Sequence, residues 1–204
     1  MSTTDQTASP GPAEQAPALV TLPHSGVQVP DAALRVTSLR QLPTRDGVAF
    51  QAVLRRGRNR VGTVENEGRG GETSFYPAAP NLFGYAELNA FADACRTASG
   101  GPCSTEQLLN ELVNEYDTAR IVTADARRGR VTVRLMAPVI EGDPDLYTAE
   151  FASVGVPSGT APNLAEVARV LATTRPAGPR GRWQYWTGAA WQTLPDPAAA
   201  ATSG

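Results

Sequence analysis

Residues 55–76 read RRGRNRVGTVENEGRGGETSFY, and they are the one place in this chain where arginine charge, glycine backbone freedom and aromatic rings coincide. Arg55, Arg56, Arg58 and Arg60 crowd a turn, and each carries a planar, permanently charged fork that matches two phosphate oxygens at once. Gly68, Gly70 and Gly71, with Arg69 among them, admit two readings. They bare backbone N–H groups to an anion, or they close a loop at positive φ. No lysine followed by Ser or Thr completes a P-loop, and the spacing is not that of a GxGxxG turn between strand and helix. Phe75 and Tyr76 would offer rings on which bases stack. A second cluster, Arg127, Arg128 and Arg130, precedes another apolar run. If both arginine turns share an edge they form one phosphate-holding surface; the alternative is a solvated edge whose charges keep strands of other molecules away.

Catalytic chemistry is harder to assemble from these residues. Glu65 and Glu67 have same-face strand spacing and, with Glu72, could hold a divalent cation, but no DxD or histidine accompanies them. The single histidine, His24, falls in a stretch with few large apolar side chains, which is expected to be a disordered tail. That leaves no Ser-His-Asp or Cys-His arrangement. Cys95 and Cys103 have neither CxxC spacing nor a histidine nearby, so they are read as reduced thiols near a turn between helices, not as a zinc site. No catalytic set, metal site or cofactor motif is complete. The expectation is a binding protein, with a small metal-dependent enzyme built on the three glutamates as the least favoured alternative.

All 18 strongly basic residues are arginine, and the formal net charge of −2 excludes a uniformly basic nucleic-acid coat. The charge is segregated. Residues 32–76 hold eight arginines against four acids, residues 120–134 five arginines against Asp125, and residues 87–117 six acids against Arg96. The lack of lysine points to a GC-rich genome, such as that of an actinobacterium or one of its phages. With no basic-then-apolar leader and no apolar run of bilayer length, a cytoplasmic protein with no membrane partner is expected.

The elements that must position these residues follow from periodicity. Residues 1–32 are expected to be a tail, too poor in core formers to offset roughly 1 to 2 kcal/mol of backbone ordering per residue. A domain over 33–172 follows. Leu34, Val36 and Ser38 begin a strand that Pro43 stops. Val48, Phe50, Ala52 and Leu54 alternate, turn at Gly57-Arg58-Asn59 and continue over 61–66 as a β-hairpin. Leu88, Phe91, Ala92 and Cys95 mark a helix, and Ser104 with Gln107 caps a second one lined by Leu108, Leu109, Leu112, Val113 and Tyr116. Strands return at 130–136 and, after a GDPD turn, at 146–153; Asn163 with Glu166 opens a third helix. This order predicts an α+β fold, a small antiparallel sheet with two or three helices on one face.

A Pro-, Gly- and Arg-rich linker over 173–182 leads to a hairpin at 183–194, and 195–204 reads as a second tail. Trp183, Tyr185, Trp186 and Trp191 concentrate aromatic surface there. They either pack on the domain or dock on a protein or glycan partner.

Two resemblances accompany these residues. Val61, Gly62, Val64, Asn66, Gly68, Gly70, Gly71 and Tyr76, ahead of a helical segment, resemble the VGxVxNxGxGG pattern of a group of small phage and bacterial proteins with no established activity. The likeness covers about residues 45–155 and implies a phage or bacterial accessory protein without implying a reaction. The segment YWTGAAW is similar to the YWDGTAW hairpin of a short actinobacterial domain, with Thr187 where aspartate is usual. Together the residues and resemblances lead to the expectation of a phage or actinobacterial binding protein that contacts nucleic acid through its arginine turns.

Overall fold

The computed structural model describes residues 18–139, 147–156, 160–177 and 180–195, and over these the fold is α+β. The described chain opens with a short antiparallel hairpin, β1 (Val20–Thr21) and β2 (Gln28–Val29). Residues 18–32 therefore depart from the expected tail. Val27 and Val29 are each 1% exposed, and two valines with a leucine at Leu22 anchor what composition alone assigned to disorder. The first 17 residues of that expected tail lie outside the described residues.

A four-stranded meander follows: β3 (Leu34–Pro43), β4 (Val48–Arg56), β5 (Asn59–Asn66) and β6 (Ser74–Pro77), hydrogen-bonded in that order and antiparallel throughout. Its apolar alternates, among them Val36, Ala52, Leu54, Val64 and Phe75, face inward. Against them pack α1 (Tyr85–Asp93) and α2 (Thr105–Arg127) through Leu88, Phe91, Leu108, Leu109 and Leu112. The Ser104 capping box is formed. Ser104 Oγ accepts from the Gln107 N–H at 3.1 Å, and Gln107 Oε1 accepts from the Ser104 N–H at 3.1 Å.

The rest of the chain builds a second sheet, where one had been expected. β7 (Arg130–Pro138) and β8 (Tyr147–Gly155) pair, α3 (Leu164–Thr174) follows with Asn163 as its cap, and β9 (Arg182–Trp186) returns to pair with β7 while β10 (Trp191–Thr193) pairs with β9. The order is β10-β9-β7-β8. Residues 183–194 are thus two strands of a sheet, not a tethered unit, and helix and strand take both ends of the expected linker. The expected GDPD turn lies outside the described residues, as does 196–204 of the second expected tail.

Each sheet has its own core: the second holds Val133, Val167, Ala168, Leu171, Trp183 and Leu194. Helix α2, 23 residues and so about 35 Å long at 1.5 Å per residue, reaches from one sheet to the other and contacts both β3 and β7. Where it meets the second sheet, the buried Asp125 carboxylate accepts hydrogen bonds from Thr132 Oγ1 at 2.8 Å and Ser153 Oγ at 2.7 Å. Among the described residues, no helix is long and apolar enough to cross a membrane.

Candidate nucleic-acid interface

Among the described residues, nothing covers the face of the first sheet that points away from α1 and α2. Cross-strand register arranges it in three rows. Arg35 lies opposite Arg55, which lies opposite Arg60; Ser38, Val53, Thr63 and Tyr76 form a row across all four strands; and Arg40, Gln51, Glu65 and Ser74 form the third. Arg35, Arg40, Arg60 and Tyr76 are exposed and Arg55 half-buried. With neighbouring strands about 4.8 Å apart and residues about 3.3 Å apart along them, Arg35, Arg40, Arg55 and Arg60 span about 10 by 16 Å over β3 to β5, and Tyr76 lies beside them on β6. Glu65 is the one acid in the three rows, and its Oε1 accepts from Gln51 Nε2 at 2.7 Å.

Arg35, Arg55 and Arg60 form a row of three like charges directly opposite one another, an arrangement that destabilises a sheet in the absence of a counter-charge. Two of the forks are aimed by local acceptors: Arg55 donates to the Arg58 carbonyl at 2.7 Å and Arg60 to Thr63 Oγ1 at 3.0 Å. Repulsion within the row and its orientation over an open face suit it to polyanion oxygens.

The residues expected to act together are divided by the structure. Arg56 turns to the opposite face, lies 3.7 Å from Asp31 and covers the rings of Phe83 and Phe91, with its guanidinium carbon 5.9 Å from each centroid. Arg58 sits exposed in the β4–β5 turn. Gly68, Arg69, Gly70 and Gly71 lie past the other end of β5, eight residues and about 26 Å from that turn. Their loop is closed on itself. Asn66 accepts from the Gly68 N–H at 2.7 Å and donates to the Gly71 carbonyl and Thr73 Oγ1, while Thr44 donates to the Gly68 carbonyl at 2.6 Å. Glu67 and Glu72 flank Arg69 there, so the loop has no basic excess. Phe75 is 3% exposed, in the core beside Phe83 and Tyr85, and offers no stacking face.

Arg127, Arg128 and Arg130, all exposed, belong to the end of α2 and the start of β7, in the second sheet, so the two arginine clusters share no sheet edge. The glutamate site does not form either: Glu65 lies on the open face and Glu67 and Glu72 in the loop. No group of three or more potential ligands is placed to hold a metal among the described residues. Cys95 and Cys103 are both buried and are not joined in a disulfide; burial pushes the Cys95 thiol up to about 12.

Arg35 and Arg40 were missed by sequence reasoning, for a definite reason. Five residues apart, they fall on opposite faces of a regular strand, and only the bulge between Val36 and Ser38 brings them to one side. His24 was missed as well. It is 8% exposed and lies at the seam between the first helical layer and the second sheet. Glu115 of α2 accepts from the backbone N–H groups of His24 and Ser25 at 2.9 and 2.8 Å, and the His24 carbonyl accepts from Arg134 at 2.7 Å.

The Trp-rich strands complete that seam. The His24 ring lies 4.5 Å from that of Trp186, and His24 Nδ1 accepts from Trp191 Nε1 at 3.3 Å. Burial lowers the His24 pKa, against an upward pull from Glu115 and with a further push down from Arg134. Trp183 points to the other face, 8% exposed, its Nε1 donating to the Arg175 carbonyl at 3.1 Å; it is core and unavailable for docking. Tyr185 packs on the same core and donates to Gln192 at 2.8 Å.

No protein-family model, curated protein or solved structure matches this chain.

Proposed function

We propose that this chain binds single-stranded nucleic acid on the open face of its first sheet. The observation that carries the reading is the cross-strand row Arg35–Arg55–Arg60, with Arg40 and Tyr76 on the same face. Phosphates relieve the repulsion within the row, and an exposed tyrosine gives a base a surface to stack on. A single strand suits a flat face better than a duplex does, because its bases can turn toward the ring. The binding is non-enzymatic. The all-arginine cation set and the motif resemblance support a phage or actinobacterial accessory protein acting in the bacterial cytoplasm.

Fluorescence anisotropy with a labelled single-stranded oligonucleotide, across a series of salt concentrations, tests the reading. Binding is expected at low salt, with an affinity that falls steeply as salt rises. Substituting Arg35, Arg40, Arg55 and Arg60 by Gln should flatten the log–log salt slope by up to about 3, at about 0.7 for each phosphate that is no longer neutralised. No binding at low salt, or an unchanged slope in the substituted protein, overturns it. Equal affinity for duplex rejects the single-strand part alone.

A further inference from the structure

A cleft of about 600 Å³ opens beside the seam, between the β1–β2 turn and the β7, β9 and β10 strands. Its size falls within the range of small-molecule sites. The polar groups on its walls include Arg134, Arg180, Arg182, Gln184 and His24, and among the described residues no Asp or Glu lines it. Leu22, Met136 and Trp191 supply apolar wall.

Arg134 sits at the base of this arrangement. Its guanidinium carbon lies over the Trp191 ring, 4.1 Å from the centroid, and it donates to two neutral acceptors, the His24 carbonyl at 2.7 Å and Gln184 Oε1 at 2.8 Å. The carboxylates behind it on α2 hold other groups: Glu115 holds the His24 and Ser25 amides, and Glu111 accepts from Tyr147 at 3.4 Å. Burial brings the Arg134 guanidinium down to about 10, the mark of a cation withdrawn from water, although Tyr147, Glu115 and Glu111 pull the other way. Arg182, exposed on β9 opposite Met136, stands on the same side of the sheet as Arg134 and Gln184. A guanidinium fixed by its neighbours, a second one at the rim, and apolar wall between them describe a receptor for an anionic group carried on an apolar body.

We propose that this cleft binds a small organic anion, a phosphate or carboxylate on an apolar body of nucleoside size, between Arg134 and Arg182. The site is separate from the open face of the first sheet and does not depend on nucleic-acid binding there.

Tryptophan fluorescence reads it directly, because Trp191 lines the cleft and Trp186 packs beside it, the ring centroids 5.3 Å apart. The full chain is titrated with adenosine monophosphate, an aromatic carboxylate, adenosine and inorganic phosphate. A saturable change at millimolar concentration or below with either of the first two, at least tenfold weaker with adenosine or phosphate alone, is the expected result. Arg182→Gln, a substitution at an exposed position, should weaken binding about tenfold, the worth of roughly one charge-assisted hydrogen bond. The Arg35, Arg40, Arg55 and Arg60 substitutions should leave it unchanged. A response from the monophosphate alone or from the carboxylate alone identifies which anion is preferred. No saturable response to either, or affinity that follows the four open-face arginines and not Arg182, overturns the proposal.

Discussion

The two sheets handle arginine in opposite ways. Arg40 on β3 and Arg134 on β7 both sit on strands in register with a glutamine, Gln51 in one case and Gln184 in the other. Arg40 is exposed on a face that none of the described residues covers. Arg134 is half-buried between the β1–β2 hairpin, α2 and Trp191, with Nε and one Nη held by fixed acceptors and its position at the cleft set by them. The difference comes from how many layers each sheet carries. The first has helices on one face only, so its outward residues follow the polar alternation of a half-buried strand. The β7 strand is covered on both: α3 and Trp183 pack against Val133, while Asp125 of α2 reaches Thr132, 2% exposed. Polar residues on the open face meet solvent; those on the covered face are held by internal partners that join the two layers, and only where the cleft opens do they face a ligand.

Substitutions at Trp183, at Asp125 with its two hydroxyl partners, and at Tyr76 of the first sheet would break that contrast if it is wrong. Trp183→Ala should have the largest effect, about 3–5 kcal/mol by urea unfolding, because it removes the largest side chain of the second core and leaves a cavity. Tyr76→Ala, on the open face at 53% exposure, should stay within about 0.5 kcal/mol. A loss under about 1 kcal/mol at Trp183 would mean that the strands from 182 onward are not part of the cooperative unit. Next comes Asp125→Ala, expected to cost about 1–3 kcal/mol, since it strands the Thr132 and Ser153 hydroxyls at the contact with α2. Adding Thr132→Val and Ser153→Ala to it should restore part of the loss. If the triple variant is less stable than the single one, the hydroxyls have other partners.

The legible parts of the fold are those that local pattern controls. Ser104 with Gln107 and Asn163 with Glu166 mark helix starts because capping is a contact between near neighbours. The alternation from Val48 to Leu54 marks a hairpin for the same reason. What could not be read depends on contacts far apart in sequence. The β9–β7 pairing joins segments some fifty residues apart, and it decides that Trp183 is core. His24 is ordered by Glu115, Arg134 and Trp191, none of them near it in the chain, so a composition argument about residues 1–32 had no means of seeing it. The open face falls between the two cases: Arg55 and Arg60 were recognised from their clustering, but Arg35 and Arg40 join them through a bulge that alternation does not reveal.

The glycine loop supplies a finer test of the first sheet. Gly68 and Gly70 both have positive φ, +68° and +79°, yet a Cβ at Gly68 would run into the backbone of Val48 and Ala49, whereas one at Gly70 would meet nothing within 4 Å. Gly70→Ala should therefore cost about 1–2 kcal/mol, the strain of the left-handed region alone. Gly68→Ala should cost at least about 1 kcal/mol more, because the start of β4 must move. Equal costs, measured by thermal unfolding, would show that the loop is not held against β4. A loss of oligonucleotide affinity in Gly70→Ala at unchanged salt slope would return the loop to the binding surface.

The smallest expected effect concerns pH, and it again divides the seam from the open face. The folded-state pKa of His24 lies below its ordinary value of 6.5, because burial disfavours the imidazolium more than Glu115 favours it. As pH falls through about 6.5 the unfolded chain takes up this proton first, so the stabilisation due to a neutral His24 is complete above that value. It is lost progressively down to the lower folded pKa, and is constant below it. His24→Gln cannot titrate, so its stability deficit relative to the unsubstituted protein should be largest near pH 7.5 and narrow towards pH 5. The other ionisable groups are present in both proteins and largely cancel in the difference. Arg40→Gln on the open face should show a deficit near zero with no trend. A His24→Gln deficit that widens as pH falls would mean that the folded protein prefers the imidazolium paired with Glu115, and would make the seam an ion pair where the structure has a buried neutral ring accepting from Trp191.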